Sequence, residues 1–258
     1  MRSSGFRTYR TDGIVARLHN LGEADRIVTV ITPDRGLVRA VAKGARKPKS
    51  KIGGHLDLLR HVSLSVHEGR NLDTVSQAET IDGFRTLRGD LSLLSHGAYL
   101  AEVAERFSVE NSSNPALFRL LLRALRVLED GGAPSILARW FEVRLLQLSG
   151  FMPEIRKCVE CGEELEQTDH MFSSERGGMV CVDCRPSGGG DVLVPAPVPA
   201  IKLLRHMARS EWDAVALIAV EHDDARSVER ILRDHIHRVL DRTVKSEAFM
   251  DEVGGWRN

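Results

Sequence analysis

The chain has 258 residues, 42% of them hydrophobic and 28% charged, a composition typical of a globular protein with one large domain or about two to three small ones. No apolar stretch approaches the roughly 20 residues of a membrane-spanning helix. The N-terminal segment is charged and lacks the apolar centre of a secretory signal. We therefore expect a cytoplasmic protein without a membrane contact, in which thiols stay reduced.

The charges are unevenly distributed, although 36 basic and 36 acidic residues cancel over the whole chain. Residues 1–80 hold 14 Lys and Arg against 8 Asp and Glu, and the other 178 residues hold 22 against 28. The first part therefore carries +6 and the rest −6. This polarity concentrates anion binding in the first part and favours nucleic acid as the partner. Chance clustering is the alternative.

Five segments between residues 10 and 80 mix β-branched residues with rough alternation, which predicts β-strands. They are Arg10–Leu18, Ala24–Thr32, Gly36–Gly44, Leu59–Glu68 and Leu72–Thr80. A tight turn at residues 33–36 joins the second strand to the third. Five short strands without a long helix predict a small β-barrel, and the periodicity alone leaves an OB-fold and an SH3-like barrel open.

After Gly83 the apolar residues repeat at helical spacing, which predicts helices over residues 90–107, 114–130 and 133–150. Asn114 is the expected N-cap of the second helix, with Pro115 at its first position, and Gly150 is expected to end the third. Helical patterns resume over residues 198–210, 211–220 and 224–244, after a flexible link at Ser187–Gly190. The predicted fold class is therefore α+β multidomain: a barrel in residues 1–80, a helical bundle in residues 81–150 with 191–258, and an insert in residues 151–190.

The insert contains all four cysteines, as two Cys-x-x-Cys pairs separated by 19 residues: Cys158 with Cys161, and Cys181 with Cys184. This spacing predicts one zinc ion per chain. Four thiolates leave no open coordination position, so the ion is structural rather than catalytic. Gly162 can supply the positive φ that such a turn needs. Free buried thiols and redox-active pairs are the alternatives.

The surface of this insert is expected to repel phosphate. From Cys158 to Cys184 the chain has seven acidic residues and one basic residue, Arg176. Four thiolates around a divalent ion add two more negative charges. We therefore expect this zinc-ribbon-like module to serve folding or protein contacts. A hairpin that turns at Arg176–Gly178 is expected between its two cysteine pairs.

The motifs of several enzyme classes are absent from the sequence. It has no phosphate-binding loop of the nucleoside-triphosphatase type, no nucleophile elbow and no His-Glu-x-x-His. His235 and His237 are expected at the surface or its boundary. Glu23 and Asp25 lie between two predicted strands without a third acid, which supports a metal-dependent nuclease poorly. The sequence predicts a binding protein and not an enzyme.

Three parts of the chain resemble the bacterial RecO family of recombination-mediator DNA repair proteins. The first is residues 9–51, with a Glu-x-Asp step, a Thr-Pro-Asp-x-Gly turn and a Lys-Gly-Ala-Arg loop. The second is the helical stretch, and the third comprises residues 150–162 and 177–184. The match covers most of the chain. Its N-terminal motif is the most specific part, because bare zinc ribbons occur in many proteins.

The resemblance implies an N-terminal OB-fold, a helical domain and a zinc-ribbon-like insert. It also implies binding of single- and double-stranded DNA and annealing of complementary strands. The implied partner is RecR, with which such proteins load the RecA recombinase on strands covered by single-stranded-DNA-binding protein. The implied location is the nucleoid. A zinc-ribbon transcription regulator is the alternative; it would need base-specific readout, and the acidic ribbon argues against it.

The candidate DNA-binding residues are basic side chains of the barrel and of the loop after its third strand, because phosphate is neutralised by Lys and Arg. They are Arg26, Arg35, Arg39, Lys43, Arg46, Lys47, Lys49 and Lys51. The loop from Lys43 to Lys51 is expected to be mobile in the free protein. Residues 1–80 contain only Phe6 and Tyr9 as aromatic residues, so we expect a grip on the DNA backbone rather than on stacked bases.

A possible dock for the acidic, apolar-ended tail of single-stranded-DNA-binding protein lies in the second predicted helix. Arg119, Arg123 and Arg126 repeat there at helical spacing beside leucines. The alternative is an ordinary amphipathic helix with a solvated face.

Overall fold

The computed structural model describes residues 8–185, 192–241 and 244–253. The chain divides into two compact units, one formed by residues 1–131 with 245–258 and the other by residues 132–244. The domain boundaries expected from the sequence remain a prediction beside this division. The expected flexible link at Ser187–Gly190 and the aromatic residue Phe6 lie outside the described residues.

The first unit begins with a closed five-stranded barrel in the order β1-β2-β3-β5-β4, which confirms the predicted OB-fold. Its strands are β1 (Thr8–Leu21), β2 (Asp25–Thr32), β3 (Gly36–Ala42), β4 (His61–His67) and β5 (Asp73–Asp82). Neighbouring strands pair antiparallel, except that β3 meets β5 in a short parallel pairing that closes the barrel. Side chains alternate along each strand, so that Val15, Val28, Val30, Leu64 and Val66 fill the interior.

Helices follow the barrel in the same unit. They are α1 (Arg85–Gly89), α2 (Leu91–Arg106) and α3 (Pro115–Glu129), and the C-terminal α8 (Lys245–Val253) also belongs to this unit. Asn114 caps α3 as expected, because its side-chain oxygen accepts a hydrogen bond from the Leu117 N–H at 3.1 Å. The carboxylate of Glu102 in α2 accepts the backbone N–H groups of Lys245 and Ser246, which fixes the start of α8.

The segment between α2 and α3 lies against the turn that joins β2 to β3. The Leu37 N–H donates to the Val109 carbonyl at 3.2 Å, and the Asn114 N–H donates to the Pro33 carbonyl at 3.1 Å. These bonds hold Glu110 at the edge of the barrel, beside the exposed side of β3.

The second unit contains four helices and a small sheet. Its elements are α4 (Pro134–Ser149), β6 (His170–Ser173), β7 (Gly178–Val180), β8 (Leu193–Ala196), α5 (Val198–Arg209), α6 (Trp212–Val215) and α7 (His222–Leu240). Gly150 ends α4 in the left-handed conformation, as expected. The expected hairpin is present, since β6 and β7 pair antiparallel, and β8 joins β6 on its other side.

Candidate nucleic-acid interface and metal centre

The basic loop, defined as Lys43–Lys51, leaves the barrel where the ladder between β2 and β3 ends. The last pair of that ladder is Arg26 with Ala42. Two residues further on, the Gly44 N–H donates to Oδ1 of Asp25 at 2.7 Å. Gly44 has a φ of +66°, a conformation that side-chain-bearing residues rarely adopt, and the chain turns here out of β3. A carboxylate at the start of β2 thus holds the first turn of the basic loop.

Arg46 adds two more connections to the tip of the β1–β2 hairpin. Its backbone N–H donates to the Ala24 carbonyl at 2.9 Å, and its guanidinium donates to the Gly22 carbonyl at 2.9 Å. The loop continues in tight turns, with the Lys47 N–H on the Gly44 carbonyl at 3.1 Å. The structure therefore differs from the mobile loop expected from the sequence. One backbone hydrogen bond and two that involve the Arg46 and Asp25 side chains attach the loop to the hairpin.

Four lysines of this loop point into solvent without an acidic partner. Lys43, Lys47, Lys49 and Lys51 are all exposed. None of them forms an ion pair with any residue in the described ranges. Four uncompensated positive charges in nine residues give this loop a strong attraction for a polyanion.

The three predicted arginines of the barrel strands and turn are engaged within the protein. Arg39 forms an ion pair with Glu110 at 3.7 Å. Arg26 is half-buried and its guanidinium lies 3.4 Å from the Leu56 carbonyl. Arg35 forms an ion pair with Glu68 at 3.2 Å. The eight candidate DNA-binding residues therefore divide into exposed, unpaired lysines and arginines that already have protein partners.

Tyr9, the only aromatic residue of the barrel in the described residues, is not a free stacking surface. The guanidinium of Arg35 covers its ring at 3.7 Å from the ring centre. Its hydroxyl donates to Asp73 at 2.5 Å. Burial, followed by this hydrogen bond to a carboxylate, raises the pKa of Tyr9 above its ordinary value. The absence of an aromatic platform, inferred from composition, therefore holds for the described part of the barrel.

The four cysteine sulfurs of the second unit converge on one point. All Sγ atoms lie within 4.8 Å of one another, and those of Cys161 and Cys181 are 3.9 Å apart. Four thiolates at about 2.3 Å from one ion in a tetrahedron would lie about 3.8 Å apart, so the donor set fits a metal ion bound by four sulfurs. Gly162 has a φ of +77°, as the sequence analysis expected for the first knuckle.

Hydrogen bonds from backbone N–H groups stabilise the thiolate form of Cys158. The N–H groups of Glu160 and Cys181 each point at its sulfur over 3.4 Å. Burial raises the pKa of this thiol, but hydrogen bonds from backbone N–H groups outweigh burial and lower it to about 6. The thiolate is the form that ligates a metal.

The surface of the module is acidic, as expected. The seven acidic residues between Cys158 and Cys184 are all exposed. The one basic residue, Arg176, forms an ion pair with Glu160 at 2.8 Å. His235, which the sequence placed at the surface or its boundary, is instead buried. Its Nε2 lies 2.8 Å from the Phe151 carbonyl, and its ring packs on Phe172.

The predicted dock on α3 has exposed arginines, but the leucines beside them are buried inside the unit. Arg119 and Arg126 are exposed and Arg123 is half-buried, whereas Leu121 and Leu125 are fully buried. The dock remains a prediction, and the leucines that would line it face the interior of the unit.

A groove in the second unit was missed by the sequence analysis. It encloses about 550 Å³ between α5 and the segment before α7. Leu203, Ile218 and Val220 provide apolar lining, and Lys202 and Arg209 are among the cations at its edge. The signal in the sequence is a cation every three or four residues along α5: Lys202, Arg205 and Arg209.

These features define a protein that combines an OB-fold barrel bearing an unpaired polybasic loop with a helical unit holding a four-cysteine metal centre. Family models of the recombination protein O N-terminal and C-terminal regions match residues 6–84 and 88–248. A DNA repair protein RecO of Dehalococcoides mccartyi strain CBDB1 is 35% identical over 245 residues, 95% of this chain and 96% of the relative. One of Roseiflexus sp. strain RS-1 is 36% identical over 247 residues, 96% and 86% of the two chains. The chain belongs to the RecO family. None of the described helices is both long and apolar enough to span a membrane.

Proposed function

We propose that this protein binds single- and double-stranded DNA, anneals complementary strands and, together with RecR, helps to load RecA on strands covered by single-stranded-DNA-binding protein. The observation that carries the proposal is the basic loop, with four exposed lysines that have no acidic partner in the described residues. Family membership supports the DNA-repair context and the cytoplasmic, nucleoid-associated location.

Annealing requires binding and positioning but no covalent chemistry. Two polyanionic strands repel each other, so a mediator has to neutralise phosphates while the base edges stay free to pair. Lysines on an ordered loop supply the neutralisation. In the described residues of the barrel the one tyrosine is covered by Arg35, so its ring is not available for stacking with the bases. Affinity should then depend steeply on salt, with a log–log slope of about −0.7 per single-strand phosphate contact.

The metal that we propose for the cysteine site is one structural Zn²⁺. Sulfur ligands in a closed tetrahedral set are typical of structural zinc, because four thiolates leave no coordination position open. The ligands would be Cys158, Cys161, Cys181 and Cys184, whose mutual distances fit the ion. When bound, the ion joins the two knuckles of a segment that has few apolar residues of its own.

The groove beside α5 is a second candidate for the dock of the single-stranded-DNA-binding-protein tail. An acidic peptide with an apolar end needs an apolar pocket edged by cations, and Leu203 and Ile218 with Lys202 and Arg209 provide both. The arginines of α3 provide the cations alone. Binding of a labelled acidic tail peptide to Lys202→Ala and to Arg126→Ala variants distinguishes the two places.

The decisive test mixes two complementary labelled oligonucleotides with the protein, with and without magnesium. We expect acceleration of duplex formation without cleavage, independent of sequence and of magnesium. Degradation in magnesium would instead indicate a nuclease. That class has little support, because no cluster of three or more possible metal ligands in the described residues includes Glu23 or Asp25. Binding of one sequence only would indicate a transcription regulator.

A further inference from the structure

The structure assigns a positioning role to Asp25: its carboxylate fixes the basic loop in the shape that presents Lys43, Lys47, Lys49 and Lys51 to phosphate. This inference rests on the proposed DNA binding. It also divides the loop into residues that hold its shape and residues that contact DNA, a distinction that composition does not make.

The sheet leaves a backbone donor unpaired just after the end of β3. The β2–β3 ladder stops at Ala42, so the Gly44 N–H has no strand partner. Asp25 takes this donor at 2.7 Å, the short distance of a hydrogen bond to a charged acceptor. Asp25 is half-buried at the start of β2, where its backbone is fixed by pairing with Leu21. The loop is therefore attached to a rigid part of the barrel.

Arg46 provides the other attachments of the loop. Its backbone N–H and its guanidinium both bond to carbonyls of the hairpin tip, those of Ala24 and Gly22. The stretch Gly22–Asp25 therefore holds the loop at three acceptors: the Gly22 carbonyl, the Ala24 carbonyl and the Asp25 carboxylate. The charge of Arg46 predicts a contact with phosphate, but in the structure Arg46 positions the loop. The four lysines are the cations of the loop without an ion-pair partner in the described residues.

A loop that is ordered before binding loses less conformational freedom when DNA arrives, so more of the phosphate attraction appears as affinity. Asp25 also carries a negative charge beside the lysines. Plain electrostatics therefore predicts that removing this charge strengthens DNA binding, whereas loss of the anchor predicts weaker binding. The two explanations therefore predict opposite changes in the affinity of an Asp25 variant for DNA.

The experiment uses three single variants of the full chain and a labelled single-stranded oligonucleotide. Asp25→Ala removes both anchor and charge. Asp25→Asn removes the charge but keeps an oxygen that can accept the Gly44 N–H. Glu23→Gln is the matched control, since Glu23 is an exposed acid two residues away with no bonded partner among the described residues.

We expect Asp25→Ala to bind about fivefold more weakly, which corresponds to the loss of about 1 kcal/mol, the net contribution of one hydrogen bond. Asp25→Asn and Glu23→Gln should bind as tightly as the wild type or up to about twofold more tightly, since both lose a nearby negative charge. Hydrogen exchange without DNA should quicken at residues 44–47 in Asp25→Ala only. An Asp25→Ala protein that binds as tightly as Glu23→Gln would overturn the assignment.

Two further readouts keep the outcome decisive. If Asp25→Ala does not fold, Arg46→Lys serves instead, since it keeps the charge but shortens the reach to Gly22. We expect it to bind about twofold more weakly; unchanged affinity and unchanged exchange at residues 44–47 would overturn the anchored-loop inference. If the wild type binds no oligonucleotide, the proposed function fails. The anchor is then judged by exchange alone, and equal exchange in the wild type and Asp25→Ala would contradict it.

Discussion

The basic loop and the metal module address the same physical difficulty in different ways. Each is a segment with few apolar residues, and neither has a core large enough to hold its shape. The basic loop is ordered by three hydrogen-bonded points on the β1–β2 hairpin tip. The module brings four sulfurs to one centre. The anchor of each segment is therefore local, and it can be removed by substitutions outside the barrel core.

The two segments also have opposite charges. The basic loop presents four lysines, whereas the module presents seven exposed acids from Glu160 to Asp183. A polyanion is attracted to the first and repelled by the second. Stability and DNA binding should therefore be separable by changes to one segment or the other.

Removal of the metal should have the largest effect, and on stability rather than on DNA. Binding of structural zinc is coupled to folding, with apparent energies of about 10–16 kcal/mol in small zinc domains. We expect a chelator or Cys161→Ser to lower the melting temperature of the second unit, measured by calorimetry, and added Zn²⁺ to restore it for the wild type only. DNA affinity of protein that remains folded should change less than about twofold. If chelation left the melting temperature unchanged, or if it removed DNA binding alone, the assignment of the metal to stability rather than to DNA binding would be wrong.

Replacement of the four loop lysines by alanine should give the next largest effect, and on DNA rather than on stability. Four lost phosphate contacts should reduce the slope of log affinity against log salt by about 2.8 and weaken binding on the order of 100-fold. Salt-dependent fluorescence anisotropy measures both. Because Lys43, Lys47, Lys49 and Lys51 are exposed, the melting temperature should stay within a few degrees.

The matched control changes Arg119 and Arg126, two exposed cations of the same unit on α3. We expect their replacement by alanine to leave the salt slope nearly unchanged. The control removes two charges and the lysine variant four. A loss in the control about half as large as that in the lysine variant would therefore show that net charge, rather than the position of the basic loop, determines affinity.

A smaller effect is the loss of stability of the first unit at acidic pH. The barrel of this unit is stabilised by its apolar core rather than by a metal. His61 is buried against Phe118, and neither ring nitrogen has a hydrogen-bond partner in the described residues. Burial lowers the pKa of His61 below its ordinary value of about 6.5. The unfolded chain therefore takes up this proton at a higher pH than the folded chain, so stability is present above pH 6.5 and falls as the pH drops below it.

The measurement is urea denaturation of the wild type and of His61→Leu at pH 7.5 and 5.5. We expect the free energy of unfolding of the wild type to fall more than that of the variant between these two pH values. The difference between the two proteins isolates His61, because all other titratable groups are the same in both. Equal losses would show that His61 is protonated in the folded state without cost.

Much of the fold and of the metal centre could be predicted because the signals are local. Strand alternation, the Asn114 cap and the two Cys-x-x-Cys pairs each depend on residues close together in sequence. The state of the basic residues could not be predicted, because it depends on long-range contacts. Arg39 is paired with Glu110, 71 positions away, only because the segment before α3 crosses the barrel edge. The hydrogen bond from the Gly44 N–H to Asp25 is not predictable either, because a backbone donor has no sequence signature.

The smallest predicted effect tests that long-range pairing. Glu110 holds Arg39 at 3.7 Å, and both side chains are about half exposed. An exposed ion pair contributes little to stability, about 0–1 kcal/mol, but it occupies a cation on the barrel face next to the basic loop. We expect Glu110→Gln to strengthen single-stranded DNA binding about twofold and to raise the salt slope slightly, with an unchanged melting temperature. Glu79→Gln, which removes an exposed acid of β5 outside any ion pair of the described residues, is the control for net charge. An equal gain in both variants would show that Arg39 contributes nothing of its own; a gain confined to Glu110→Gln would place Arg39 with the loop lysines in the DNA interface.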